Sequence, residues 1–163
     1  MLEDGSFDMT LLLGPMYHLP TEEMRMQAMA EAVRVTKPGG IIMAAYCIAD
    51  GSILKYGFGE RHIAELIGTG RLSPRTFGFR NQPEDVFVMV RKQEIDRMMR
   101  GFPVQRMHYV AVDGAGYFMQ DMLDRLSEEE FQLYLTYHLT VCEQEDLVGA
   151  TGHSLDIMRK TQR

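Results

Sequence analysis

Cysteine is scarce in this chain: only Cys47 and Cys142 occur in 163 residues. Two thiols are too few for a disulfide framework, and both lie in apolar or helical surroundings, so they read as reduced, buried side chains. Basic charge is also short, with 17 Lys and Arg against 23 Asp and Glu and a net charge of −6. That balance excludes a generic nucleic-acid surface, which needs lysines and arginines clustered on one side. The densest basic groups, Arg71 with Arg75 and Arg80, and Arg91-Lys92 with Arg97 and Arg100, read as solvated faces. No apolar run approaches the roughly 20 residues that cross a bilayer, and the start lacks the basic-then-apolar pattern of a secretory leader. The expectation is a soluble, cytoplasmic protein. No internal repeat, low-complexity tract or flexible linker is present. Nor is there a Gly-x-Ser-x-Gly elbow, a Ser-His-Asp set or a phosphate loop.

What is there is enough apolar residue for one core: 45% of the chain, including 14 methionines that read as core filling. Residues 1–163 are expected to form a single domain. Its most informative stretch is Phe7-Asp8-Met9-Thr10-Leu11-Leu12-Leu13-Gly14-Pro15-Met16-Tyr17-His18-Leu19, followed by Lys37-Pro38-Gly39-Gly40. The first part reads as a short, wholly apolar strand that ends in a Gly-Pro loop tipped by Tyr and His. A helix follows, opened by Pro20-Thr21-Glu22-Glu23, with Thr21 as cap and two acids facing the positive end of the dipole. Met24, Ala28, Ala32 and Val35 share one face of it. Lys37-Pro38 ends it, Gly39-Gly40 reads as a turn, and Ile41 to Tyr46 forms a second apolar strand. The result is a βαβ unit with a loop at the carboxyl end of its first strand, where open parallel sheets bind ligands.

These residues resemble the class I S-adenosylmethionine-dependent methyltransferases, specifically the small-molecule group whose fourth strand carries Phe-Asp...Gly-Pro-x-Tyr-His-Leu. The likeness continues through Arg91-Lys92-Gln93-Glu94-Ile95, through Arg100-Gly101-Phe102, and into Gly149-Ala150-Thr151-Gly152-His153-Ser154-Leu155. It implies an α/β fold: a partial Rossmann-like sheet, the family's fourth to seventh strands, with flanking helices and a cap insertion. It also implies S-adenosylmethionine as cofactor. The family's glycine-rich loop and the acid ending its second strand have no counterpart here, so the cofactor site is expected to be incomplete. The resemblance places Leu13, Gly14 and Met16 beside the cofactor and makes Tyr17 and His18 the catalytic candidates. Of these, only His18 is of a type that titrates near neutral pH. A plain loop-anchoring role for Tyr17 and His18 stands equally beside the catalytic one.

Further along, glycines loosen the pattern from Ala49 to Gln82 around a short helix near Glu60 to Ile67, and 49–82 reads as the cap or lid. A helix from Gln93 to Arg100 turns Ile95, Met98 and Met99 inward and stops at Gly101. A strand from Val104 to Val112 follows, then helices at Tyr117 to Leu126 and from Ser127, where Ser127 and Glu130 form a capping box. A last strand, His153 to Arg159, is expected antiparallel at an edge. His138 and Cys142 share a helical face at metal-ligand spacing, but no second pair accompanies them, so core packing is favoured. His108 and His153 lie in strands that could be neighbours. Tyr109 and Tyr117 are candidates for lining an acceptor pocket, and burial with a bonded hydroxyl explains them as well.

Met9 to Leu13 reads as a strand buried on both faces, and without the family's first half it loses a neighbour. The expectation is a truncated methyltransferase for a small acceptor, inactive alone, that pairs through this edge as a homodimer or with an amino-terminal half. The alternative is a non-catalytic companion subunit that binds another chain through the same edge.

Overall fold

A computed structural model describes residues 2–162. The chain forms β1 (Phe7–Leu12), α1 (Glu22–Val35), β2 (Thr36–Ile48), α2 (Ala49–Ser52), α3 (Ile63–Gly68), β3 (Met89–Val90) and α4 (Lys92–Met99). It continues through β4 (Val104–Ala111), α5 (Gln120–Leu123), α6 (Glu128–Val141) and β5 (His153–Lys160). One sheet of five strands runs β1-β2-β5-β4, with β3 beside the end of β2. Strands β1 and β3 lie parallel to β2, whereas β5 is antiparallel to both β2 and β4. This is the expected α/β arrangement, a partly open sheet with flanking helices.

Helix α1 starts where its signals say. The Thr21 hydroxyl accepts from the Met24 N–H at 3.2 Å, and Glu22 and Glu23 occupy the first turn. It buries Met29, Ala32 and Val33 against Ile42, Ala44 and Tyr46 of β2, and α4 adds Ile95, Met98 and Met99 to the same cluster. Because side chains alternate along a strand, the other face of the sheet carries Met9, Leu11, Ile41, Met43, Ala45, Leu155 and Ile157, brought into line by the register. There Met9 is 49% and Leu11 53% exposed. The apolar run of β1 is therefore left open on this face.

Two details correct the sequence reading. The Lys37-Pro38-Gly39-Gly40 segment is not a turn ahead of β2 but an irregularity inside it: pairing jumps from Phe7↔Thr36 to Met9↔Ile41. Gly39 takes φ +80°, and a Cβ on Gly40 would sit 2.8 Å from the Asp8 carbonyl oxygen, so glycine is required at both positions. Strand β5 is not an edge; it lies between β2 and β4. Burial explains why, since Ser154, Asp156 and Met158 are fully enclosed. The strands that carry His108 and His153 are neighbours as expected, β4 pairing with β5, with His108 opposite Ile157 and His153 opposite Cys47.

Asp156 is held on the helix-covered face by charge. Arg106 donates to both of its carboxylate oxygens at 2.8 and 2.6 Å and to Asp96 at 2.5 Å, and Lys92 donates to Asp96 at 2.9 Å. Burial raises the Asp156 pKa even against its arginine partner.

Candidate functional site

Strands β1 and β2 are parallel, so their carboxyl ends lie at one end of the sheet, where the chain leaves β1 through Gly14 and a 3-10 turn, Pro15–Tyr17. This turn is tightly fixed. The Tyr17 hydroxyl donates to the Leu13 carbonyl at 2.5 Å, the Val88 N–H donates to the Tyr17 carbonyl at 2.8 Å, and His18 Nδ1 lies 2.7 Å from the Val86 carbonyl oxygen. A carbonyl oxygen only accepts, so Nδ1 carries the proton and Nε2 of the neutral ring keeps its lone pair. The Phe87 ring packs on both, its centroid 5.3 Å from His18 and 6.2 Å from Tyr17. Tyr17 and His18 thus anchor the loop and still leave one imidazole nitrogen available.

The five residues named from sequence divide. Leu13 is exposed, and a Cβ on Gly14 would meet nothing within 4 Å, so open space adjoins the strand end. Tyr17 is half-buried and His18 exposed. Met16 is fully buried in the main core cluster. Pro15 takes the first position of the 3-10 turn, where its missing N–H costs no hydrogen bond.

Val86 and Phe87 also form a wall of a cavity of about 430 Å³, within the range of small-molecule sites. Tyr56, Leu66, Phe79, Met89 and Tyr117 supply further apolar and aromatic wall, with Arg71, Glu84 and Asp85 as charged lining. Segment 49–82 builds much of it. Arg91, at the start of α4, ties that segment down through a two-nitrogen grip on Asp50 and a 2.8 Å bond to the Phe77 carbonyl. The Asn81 side-chain amide clamps both backbone groups of Met89 at 3.0 Å. Tyr117 lines the cavity as expected of it. Tyr109 does not: it is buried, its hydroxyl donates to Ser154 Oγ at 2.9 Å, and burial pushes its pKa up to about 12.

The sequence reading assigned no element to residues 83–90 and so missed Val86 and Phe87. The signal was present: Val86-Phe87-Val88-Met89-Val90 is an unbroken apolar run of strand-forming residues, and its end is β3. His138 donates through Nε2 to the Val112 carbonyl at 3.1 Å and Cys142 is buried, a packing role for both. Among the described residues no cluster of three or more His, Cys, Asp or Glu is placed to hold a metal ion, and no helix is long and apolar enough to cross a membrane.

Comparison with solved structures decides the family of folds. A methyltransferase from Methanosarcina mazei superposes with a TM-score of 0.55 at 14% identity, covering 99% of this chain and 63% of its own. This is the class I S-adenosylmethionine-dependent methyltransferase fold. A second methyltransferase, from Thermotoga maritima, gives 0.54 at 15% identity, covering 98% of this chain and 59% of its own. The [4+2]-cyclase SpnF gives 0.51 at 14% identity, covering 98% and 53%. The chain therefore spans less than two thirds of the length of these methyltransferase-fold relatives. Residues 1–44 match the profile of a family described as a methyltransferase domain. No curated protein matches the sequence. That a cyclase shares the methyltransferase fold means the reaction must be argued from the site, not from the fold.

Proposed function

We propose that this chain forms the acceptor side of an S-adenosylmethionine-dependent methyltransferase acting on a small molecule, and that it needs a further cofactor-binding half to work. The observation that carries this reading is the shared wall: Val86 and Phe87 line the cavity and also hold His18, at the carboxyl end of β1. The cofactor, when bound, supplies an electrophilic methyl on a sulfonium sulfur. Leu13 and Gly14 would flank it. The aromatic walls would orient the acceptor and keep water out, which is most of what methyl transfer asks of a protein. As the acceptor atom bonds the methyl and the sulfur–carbon bond breaks, His18 Nε2 would take the proton that the acceptor gives up. Tyr17 holds the loop through Leu13, so its contribution is positional.

A second reading is favoured by one specific observation, the exposure of Phe7, Met9, Leu11 and Leu13 along β1. On that reading the chain is a non-catalytic companion that binds another polypeptide, a second copy or an amino-terminal half, through this edge.

Calorimetric titration of the purified 163-residue chain with S-adenosylhomocysteine separates them. The methyltransferase reading expects weak binding by the chain alone, with a Kd near or above about 100 μM, and a gain of at least about tenfold when a cofactor-binding half is added. No heat at millimolar ligand, with or without such a half, would leave only the companion reading.

A further inference from the structure

The cavity has a charge pattern that the methyl-transfer reading does not use. Four aromatic rings, Tyr56, Phe79, Phe87 and Tyr117, line it, together with the two carboxylates of Glu84 and Asp85 and the guanidinium of Arg71. Arg71 is already committed, since its Nη2 lies 2.6 Å from Asp85 Oδ1. The other oxygen of Asp85 accepts from the Gln82 N–H at 2.8 Å. Glu84 makes no ion pair among the described residues, which leaves the lining with one uncompensated negative charge. The other cation beside these walls, Lys55, has its Nζ 4.3 Å from the centroid of Tyr117, and it is not part of the lining.

We infer that the cavity selects a small aromatic or apolar amine in its cationic form, with the ammonium at the Glu84 end and the apolar body among the rings. An ammonium gains from a carboxylate and from the negative faces of aromatic rings together. A carboxylate ligand would meet Glu84, while Arg71, the cation within the lining, is already paired with Asp85. The body of the ligand replaces water against Leu66, Phe79 and Met89, which an inorganic cation cannot do. As the acceptor class of the enzyme this rests on the proposed methyl-transfer function; as a binding preference it does not.

The test uses the full chain without cofactor and three probes that share an indole body: tryptamine (cation), tryptophol (neutral) and indole-3-acetate (anion), titrated by protein-detected NMR at neutral pH. Tryptamine is expected to bind at least about tenfold tighter than indole-3-acetate, with tryptophol between them, and to shift the resonances of Phe79, Phe87 and Tyr117. Glu84→Gln, a change at an exposed position, is expected to shrink that ratio to about threefold or less, and raised salt to narrow it in the wild type. Equal or tighter binding of the acid, no shift from any probe, or an unchanged ratio in Glu84→Gln would overturn the inference. S-adenosylhomocysteine titrated into the same samples keeps the two readings apart. Cofactor-product binding without an amine preference sinks only this inference, and an amine preference with no cofactor-product binding, with or without an added cofactor-binding half, sinks only the methyl-transfer reading.

Discussion

Arg106 shows how much a single side chain can decide here. It satisfies both oxygens of a fully buried carboxylate, Asp156, and one of Asp96. Removing one partner of a buried ion pair leaves the other charge uncompensated, which costs about 3–5 kcal/mol. Arg106→Met keeps much of the stem and should lose that amount at pH 7. The pH dependence has a definite sign. Asp156 already has a raised folded-state pKa because of burial, and loss of Arg106 raises it further. The folded variant then binds a proton more tightly than the unfolded chain does. Its penalty is fully present above the folded pKa and fades as pH falls toward the unfolded value near 3.9. Urea midpoints at pH 7 and pH 5 should therefore show the variant recovering on acidification relative to wild type. An equal deficit at both values would contradict the assignment. None of this was legible in the sequence, because Arg106 and Asp156 are brought together by the β4–β5 pairing and Asp96 joins them from α4. His18 differs. Its place after Gly14-Pro15 was legible, but its orientation was not, since the partner carbonyl lies 68 residues away.

Elements carried their ends more faithfully than their surroundings. The Thr21 cap and the Ser127–Glu130 capping box stand where the sequence puts them, because a cap is local and needs only a few residues to agree. The Pro-Gly-Gly turn became an irregularity within β2 because its outcome depends on Asp8 of the neighbouring strand. Segment 49–82 depends on long-range fit in the same way. At its start, a Cβ on Gly51 would lie 2.0 Å from the Thr151 carbonyl oxygen, so the segment is seated against the entry to β5 by backbone contact. Gly51→Ala must push one backbone off the other. Overpacking of this kind costs about 1–3 kcal/mol, and a backbone neighbour puts it at the upper end. Gly152→Ala, which meets the movable Tyr117 ring at 2.5 Å, should cost less. Thermal melts of the two variants check the order; a milder Gly51→Ala would mean that the segment is not seated on Thr151.

The whole molecule is one-sided. Helices α1 and α4 bury one face of the sheet, whereas the other presents Met9 and Leu11 of β1 beside Ile41 and Met43 of β2. Each large apolar side chain left in water forgoes roughly 1.5–3 kcal/mol, against a total domain stability of about 5–15 kcal/mol, and the outer backbone edge of β1 offers a pairing template as well. A charge placed on such an edge is the device by which soluble sheets block pairing. The expected outcome is concentration-dependent self-association of the chain by sedimentation velocity at micromolar protein, abolished in Met9→Lys/Leu11→Lys with the circular dichroism of the fold retained. Those substitutions lie in β1 before the Leu13–His18 loop, so the cavity should still bind whatever the wild type binds. A wild type that sediments as a monomer at all concentrations would rule out pairing between copies. It would direct attention to a separate cofactor-binding half, whose addition should then protect the amides of β1 from exchange.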